Sequence, residues 1–374
     1  MWATKAFAEM TAVQEHPLSV PMEDLEAAFA QYFGRTRGRQ AAVRVEIDRV
    51  VERSFSRVAF LKVWDTVERE LFVLKMVKHH PMIAATTRSE NQAVVEFETL
   101  QKLYEAFSSE ARCSVPKPVL LFAEHEAYVM TQVPGLLLSD LLCNARYWAS
   151  NKKFRMLRRH FGDSGRWLRR LQETTASTKP TTSAYEHVVA RCEQRLQLIG
   201  ESGCPLIPRG FCERIRGLIG QCLCACGSGN SRVAGRHGDF GPWNVLADDN
   251  GVTVIDFLGY KLDPPAVDLL KMDIAIENEG VGLTSSQKRN RLLRADFLRG
   301  YGAPPWMEPE SLKICEILQR VVSLWGSISM PAERLHYRIE RNLTIRRHVS
   351  ILWNGQFVAT NRILGFWKGA ILSS

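Results

Sequence analysis

The sequence lacks an uninterrupted apolar run of the ~20 residues that a membrane-spanning helix needs. We also expect no secretory signal peptide, because the first residues, MWATKAFAEMTAVQEH, contain acids and no apolar segment before a cleavage site. No internal repeat or low-complexity tract occurs. These absences favour a globular protein, as do a hydrophobic content of 45% and a charged content of 24%.

Cysteine patterns that mark disulfide scaffolds or zinc sites are also missing. The nine cysteines are odd in number and scattered, which favours a reducing compartment, the cytoplasm, over a disulfide framework. Cys222, Cys224 and Cys226 follow each other in steps of two, whereas zinc sites typically use Cys-x₂-Cys, and no histidine lies close by. We therefore interpret these three as ordinary thiols of a helix.

Acidic residues are the scarcer charge, with 40 Asp and Glu against 49 Lys and Arg, which gives a net charge of +9. Such an excess indicates an anionic partner and carries no information about the fold. The length of 374 residues corresponds to two or three domains, or to one bilobal unit.

One stretch, Arg236 to Leu270, combines the residue types that phosphoryl transfer needs. His237-Gly238-Asp239 is followed five residues after the aspartate by Asn244, and a β-branched run then leads to Asp256. Asp239 can accept a hydroxyl proton, while Asn244 and Asp256 offer the hard oxygen ligands that Mg²⁺ takes beside substrate phosphates. Phosphoryl transfer asks little more of a protein than positioned oxygens, a base and charge neutralisation.

This pattern of His-Gly-Asp-x-x-x-x-Asn, Ile-Asp-Phe and a later Asp-Pro-x-x-x-Asp resembles the aminoglycoside phosphotransferase and choline kinase family. Protein kinases usually carry His-Arg-Asp and Asp-Phe-Gly at these places, whereas residues 256–258 here are Asp-Phe-Leu. The resemblance implies an α+β, bilobal protein-kinase-like fold. It also implies ATP- and Mg²⁺-dependent transfer of a γ-phosphoryl group to a hydroxyl of a small molecule or glycan. His237 and Asp268 would brace the catalytic loop.

Three regions are expected along the chain. Residues 1–40 form an N-terminal helical extension, in which a helix starts near Ser19 and ends at Gly34. Residues 41–133 form an N-lobe that opens with three antiparallel strands, and alternation of apolar and polar residues supports the first of them. Residues 134–374 form a mainly helical C-lobe with the catalytic loop and the acceptor site.

Two N-lobe residues are expected to position the phosphates. Lys75 lies in the third strand, where the family has its phosphate-contacting lysine. Glu96 shares a helical face with apolar residues, so it should point inward and need a partner, for which Lys75 is the obvious choice. Glu98 is the reserve candidate for that pairing.

The segments that would bind the nucleotide are less distinctive. The turn between the first two strands lacks the Gly-rich loop of protein kinases, but Ser54 and Ser56 could donate to phosphates there, or the turn could be a plain hairpin. The adenine edge is expected at backbone groups from Thr131 to Val133 of the hinge-like strand. These segments fit ATP, and GTP fits them as well.

Charged residues of the C-lobe bear on the nature of the acceptor. Family members that bind aminoglycosides use acids where Asp273 and Glu277 lie, yet basic segments surround them here. Such a C-lobe suits a neutral or anionic acceptor better than a polycationic one. The basic segment 151–171 is either a core helix with solvated arginines or a surface for an anionic acceptor or a membrane.

Alternative functions remain open at this stage. A protein kinase of the same fold is one, although His237-Gly238-Asp239 and the missing Gly-rich loop argue against it. A non-catalytic nucleotide-binding protein is another, although Lys75, Asp239, Asn244 and Asp256 are all present. A nucleic-acid-binding protein would explain the charge and leave the acids unexplained.

Overall fold

The computed structural model describes residues 18–38, 42–53, 55–65, 68–78, 91–144, 150–279, 286–331 and 335–372. The chain folds into two compact units. The first unit contains the described residues up to Leu137 together with Leu246–Leu258, and the second contains Leu138–Val245 and the residues from Gly259 onward.

The strands of the described residues are β1 Arg44–Glu52, β2 Ser56–Trp64, β3 Arg69–Val77, β4 Cys113–Ser114, β5 Pro118–Phe122, β6 Ala127–Thr131, β7 Leu136–Leu137, β8 Ser177–Pro180, β9 Asn230–Arg236, β10 Val245–Asp248, β11 Gly251–Val254 and β12 Lys261–Asp263.

The helices are α1 Met22–Arg37, α2 Gln92–Ala106, α3 Leu138–Asn144, α4 Asn151–Thr174, α5 Thr181–Glu201, α6 Phe211–Ala225, α7 Ala266–Asn278, α8 Gln287–Tyr301, α9 Pro309–Ser329, α10 Leu335–Trp353 and α11 Val358–Leu372.

The first unit is built on a five-stranded sheet in the order β1-β2-β3-β6-β5. Strands β1, β2 and β3 pair antiparallel in sequence order, so the three predicted strands are confirmed. Along β2, Ala59, Leu61 and Val63 alternate into the core, as the period of two requires.

Helix α1 packs on this sheet through Leu25, Phe29 and Phe33, and the rings of Phe29 and Phe72 lie 4.8 Å apart. The prediction that this helix ends at Gly34 was wrong. The helix continues to Arg37 and is capped by Gly38 in the left-handed region. A helical glycine costs only about 1 kcal/mol, which buried aromatic packing outweighs.

The predicted metal ligand of the first unit, Asp256, follows a smaller sheet in the order β4-β11-β10-β7. Strand β11 pairs parallel with β4, and the chain then leaves it toward Asp256. A Cβ on Gly251, at the start of β11, would lie 2.1 Å from the carbonyl oxygen of Arg112, so only glycine fits this approach.

The second unit is mainly helical. Helices α4 and α8 cross so closely that a Cβ on Gly300 would lie 1.9 Å from the carbonyl oxygen of Gly162. The apolar face of α4 is buried, with Leu157, Phe161, Trp167, Leu168 and Leu171 in the core. The core-helix interpretation of this segment is thereby confirmed, while Arg155, Arg159 and Arg166 stay exposed.

A three-stranded sheet in the order β12-β9-β8 positions the catalytic segment of the second unit. Helix α5 packs against β9 and β12. Strand β9 ends at Arg236, directly before His237, and its last residue pairs with Lys261 of β12. The predicted α+β class, with an antiparallel N-terminal sheet and a helical C-terminal region, is confirmed.

No helix in the described part of the chain is long and apolar enough to cross a bilayer.

Candidate active site

The first unit brings Lys75, Glu96 and Asp256 together. The Nζ atom of Lys75 donates to Glu96 Oε1 at 2.6 Å and to Asp256 Oδ1 at 2.8 Å. The backbone amide of Phe257 donates to the same Glu96 oxygen at 2.8 Å. One carboxylate on α2 therefore holds both the β3 lysine and the chain immediately after Asp256.

Burial and charge act in opposite directions on Lys75, whose side chain is only 3% exposed. Burial alone would lower its pKa, but the carboxylates of Asp256 and Glu96 outweigh burial and raise the pKa above its usual value. The lysine is therefore a fixed positive charge at neutral pH.

The predicted contact between Lys75 and Glu96 is confirmed, while the reserve candidate Glu98 points to solvent. Asp256 has a φ of 72°, in the left-handed region that residues with a side chain rarely adopt. Such a conformation persists only where the surroundings determine it, and the bonds to Lys75 and through Phe257 do so here.

The nucleotide contacts stay predictions, and the structure locates some of the residues concerned. Ser54 lies outside the described residues. Ser56 is buried at the start of β2, opposite Val77. The amide of Thr131 donates to Lys117 O at 2.9 Å and is therefore used within the sheet, and the contact of the adenine edge with backbone groups from Thr131 to Val133 stays a prediction. This hydrogen bond holds the end of β6 against the residue that precedes β5.

In the second unit, the carboxylate of Asp239 is half exposed and held by three donors. Its Oδ2 accepts from Trp243 Nε1 at 2.8 Å and from Asn244 Nδ2 at 2.9 Å, and its Oδ1 accepts from Lys271 Nζ at 2.5 Å. Sequence reasoning missed Lys271. Its position three residues after Asp268 on a helix was the available signal, because residues i and i+3 share a face.

The predicted brace of the catalytic loop is confirmed. Asp268 is fully buried and accepts from the amide of His237 at 2.6 Å and from that of Gly238 at 3.2 Å. The His237 ring is buried beside Trp167 and Phe240. The loop that carries Asp239 is thus fixed by backbone hydrogen bonds and aromatic packing.

Comparison with known proteins agrees with this geometry. The profile of the phosphotransferase enzyme family APH matches residues 58–310, which is more than half of the chain. The chain belongs to this family. No curated protein sequence matches it.

Solved structures resemble this phosphotransferase in fold. A glucosamine kinase in complex with glucosamine, ADP and inorganic phosphate superposes with a TM-score of 0.56 at 16% identity, covering 87% of this chain and 85% of that one. A thermostable mutant of aminoglycoside phosphotransferase APH(4)-Ia, in ternary complex with AMP-PNP and hygromycin B, gives a TM-score of 0.51 at 12% identity, covering 88% and 98%. The protein-kinase-like fold is thereby shown.

A glutamine of α4 ties the helices of the phosphotransferase to the catalytic region. Gln172 donates from Nε2 to Pro265 O at 2.8 Å and accepts from the Tyr301 hydroxyl at 2.5 Å. The side chain is 1% exposed. It bridges the residue before α7 to the end of α8, a structural role.

The acids of α7 are neutralised by the chain itself. Glu277 contacts Arg294, Arg320 and Arg362, each at 3.1 Å, and Asp273 pairs with Arg362. We call these five side chains the buried ion cluster, since the relative exposure of each carboxylate is 2% or less. Neither carboxylate is available to hold a cationic acceptor.

Proposed function

We propose that the protein is an ATP- and Mg²⁺-dependent phosphotransferase that moves the γ-phosphoryl group to a hydroxyl of a small molecule or glycan. The carrying observation is the carboxylate of Asp239, half exposed and fixed by Trp243, Asn244 and Lys271. A carboxylate held this way is ready to orient and deprotonate an alcohol. Membership of the family supports the reaction class.

Asp239 acts mainly by orientation in this proposal. In the loose transition state of phosphoryl transfer the attacking hydroxyl loses its proton late. The carboxylate therefore first holds the hydroxyl in line and then takes its proton. Lys271, on Oδ1, keeps the carboxylate in place.

Lys75 is proposed to contact the α- and β-phosphates of ATP, with Glu96 as its partner. Its raised pKa keeps the ammonium charged, which phosphate binding requires. Since the amide of Thr131 is used within the sheet, Val133 is the proposed donor to the adenine edge. Ser56, together with Ser54, remains the proposed phosphate-loop contact.

Asn244 and Asp256 are the proposed magnesium ligands, and their donor chemistry fits. The Nδ2 group of Asn244 donates to the backbone oxygen and the carboxylate of Asp239, so its amide oxygen, a hard ligand, is directed away from them. Asp256 supplies a carboxylate. When bound, Mg²⁺ supplies neutralisation of charge on the phosphates.

The acceptor is proposed to be neutral or anionic, because the acids of α7 are neutralised internally by arginines. A cytoplasmic location is proposed, since all nine cysteines are free thiols. Contact with a membrane surface through the exposed arginines of α4 stays a prediction.

The test separates the base from the phosphate-binding residues. Asp239→Asn should lower single-turnover transfer by about 10²–10⁴-fold, the range of a lost general base, while ATP affinity changes little. Asp256→Ala should weaken Mg-ATP binding. Transfer is followed from γ-labelled ATP into a metabolite extract, and affinity by calorimetry. Glu98→Gln, on the exposed face of α2, is the matched control for Glu96→Gln, which should impair phosphate positioning.

An Asp239→Asn variant that loses ATP binding but transfers normally at saturation would show that Asp239 is a metal ligand instead. Equal activity of Glu96→Gln and Glu98→Gln would remove the proposed role of the Lys75 pair.

A further inference from the structure

A group of cationic side chains lies beside the catalytic segment of the second unit and has no part in the machinery above. It consists of Arg191 and Arg195 on α5, Arg236 at the end of β9 and Lys261 at the start of β12. We call these four the cationic cluster, and His187 lies at its edge.

The backbone arrangement brings the four together. Arg191 and Arg195 are four residues apart on α5, so they share one helical face with His187. Helix α5 packs on β9 and β12, where Arg236 and Lys261 are direct cross-strand neighbours. The helix face therefore lies over the pair of strand residues.

Negative charge is scarce within the cluster. Asp263 pairs with Arg236 and is the carboxylate that counters the cluster from β12. The Nε atom of Arg195 is buried with no hydrogen-bond partner in the described part of the chain. The Nε atoms of Arg294 and Arg362 in the buried ion cluster also have no hydrogen-bond partner there, so it is the excess of positive charge around Arg195, and not this atom alone, that indicates an external anion.

Electrostatics agrees with this geometry. Burial lowers the pKa of Lys261 to about 8, and the charge of Arg236 adds to the effect. Burial likewise lowers the pKa of Arg191 to about 10, and Arg236 and Arg195 lower it further. The fold holds these cations together against their repulsion, and an anion would relieve it.

The cluster is close to the proposed base. Arg236 is three residues before Asp239 and directly precedes His237, whose amide is fixed by Asp268. The carboxylate of Asp239 is near enough to stabilise the charge of Arg191. A ligand group held by the cluster would thus be attached to a molecule whose hydroxyl can reach Asp239.

We propose that the cationic cluster binds an anionic group of the acceptor, a phosphate or a carboxylate, so that the substrate is a hydroxyl compound that already carries negative charge. This inference rests on the proposed function of Asp239. Arginine forks match both anions bidentately, which explains why the chain places three arginines here.

The first arm of the test measures binding to the ligand-free protein at low ionic strength, by calorimetry with inorganic phosphate and with acetate. Loss of one charged donor weakens such binding by about 10- to 100-fold. We expect this loss in Arg191→Met and in Lys261→Met. Arg346→Met, on the exposed face of α10, removes the same charge elsewhere and should bind as wild type does. The preferred anion distinguishes a phosphorylated from a carboxylated acceptor.

The second arm follows γ-labelled ATP into a metabolite extract, with products resolved by anion exchange. The labelled product should carry at least one negative group beyond the transferred phosphate. We expect the KM for the acceptor to rise in Arg191→Met. This variant should therefore need at least tenfold more extract than the wild type to form the labelled product at the same rate.

The proposal is overturned if neither anion binds, or if wild type and both cluster variants bind them alike. It is also overturned if the labelled product comes from a neutral acceptor, and phosphotransferase activity then stands without it. Absence of any labelled product would overturn the proposed function and this inference together.

Discussion

Two groups of arginines in the second unit are built in opposite ways. In the buried ion cluster, Arg294, Arg320 and Arg362 each contact a carboxylate of Asp273 or Glu277. In the cationic cluster, Asp263 pairs with Arg236 and also stabilises the charges of Arg191 and Lys261. Glu316 also pairs with Arg320, so the first group has three carboxylates for three arginines, whereas the second group has an excess of positive charge.

The pKa shifts show what this difference means. Burial would raise the pKa of Glu277, but Arg320, Arg347 and Arg294 outweigh it and hold the pKa well below its usual range. In the cationic cluster burial lowers the pKa of Lys261, and Arg236 lowers it further. Matched charges serve folding, whereas unmatched charges cost folding stability and are retained where a ligand completes them.

The largest expected effect breaks the matched group. Glu277→Gln keeps the shape of the side chain but removes a buried carboxylate that Arg294, Arg320 and Arg362 all contact, and should lower the free energy of unfolding by about 3–5 kcal/mol. Denaturant titration measures it, with the exposed Glu98→Gln as control. A loss below about 1 kcal/mol, the value of a surface pair, would show that the ion cluster is not the structural element described.

A smaller effect concerns His348, fully buried beside Arg320. Burial and then Arg320 lower its pKa from 6.5 to about 3, although Glu277 opposes this and Arg347 adds to it. Because the unfolded chain takes up the proton first, stability is lost as pH falls below 6.5, by about 2 kcal/mol at pH 5. His348→Gln should remove that share of the loss. Unfolding at pH 7 and pH 5 for both proteins measures it, and parallel pH profiles would contradict the assignment.

The smallest effect tests the unmatched group. Lys261→Met removes a charge held against its neighbours, and should raise the free energy of unfolding by about 1 kcal/mol at pH 7, since the partly exposed ammonium retains some solvation. The loss of folding stability caused by the charged lysine is fully present below pH 8, where both the folded and the unfolded chain bind the proton. Between pH 8 and 10.5 only the unfolded chain binds it, so this loss becomes smaller as pH rises. The stability gained by Lys261→Met should therefore become smaller as pH rises from 8 to 10.5. If the variant is less stable than the wild type at pH 7, Lys261 is a structural cation and the assignment is wrong.

Sequence reasoning reached those parts of the site that rest on local pattern. Lys75 was predictable from the family resemblance, and its α2 partner Glu96 because an inward helical position is a local signal; 21 residues separate the two. The brace by Asp268 followed from the family motif. The first strand of the first sheet was predictable because its apolar and polar residues alternate.

Contacts between distant segments were out of reach. Asp273 and Arg362 are 89 residues apart, so the sequence showed acids and bases in one lobe without showing that they cancel. The cationic cluster was missed because α5 and the β9–β12 pair meet only in the folded unit. Lys271 was missed because its target, Asp239, belongs to a loop whose course could not be predicted.

The close crossing of α4 and α8 has a consequence for how this protein diverges from its relatives. A single methyl group at Gly300 would collide with the backbone at Gly162, and a Cβ on Gly165 would lie 2.1 Å from Phe297 O. A side chain gained at Gly165 or at Gly300 requires the two helix axes to separate, whereas a Cβ on Gly162 would lie 3.6 Å from Asp296 O, an ordinary contact distance. We therefore expect Gly165 and Gly300 to change together across homologues or not at all, while Gly162 tolerates a small side chain.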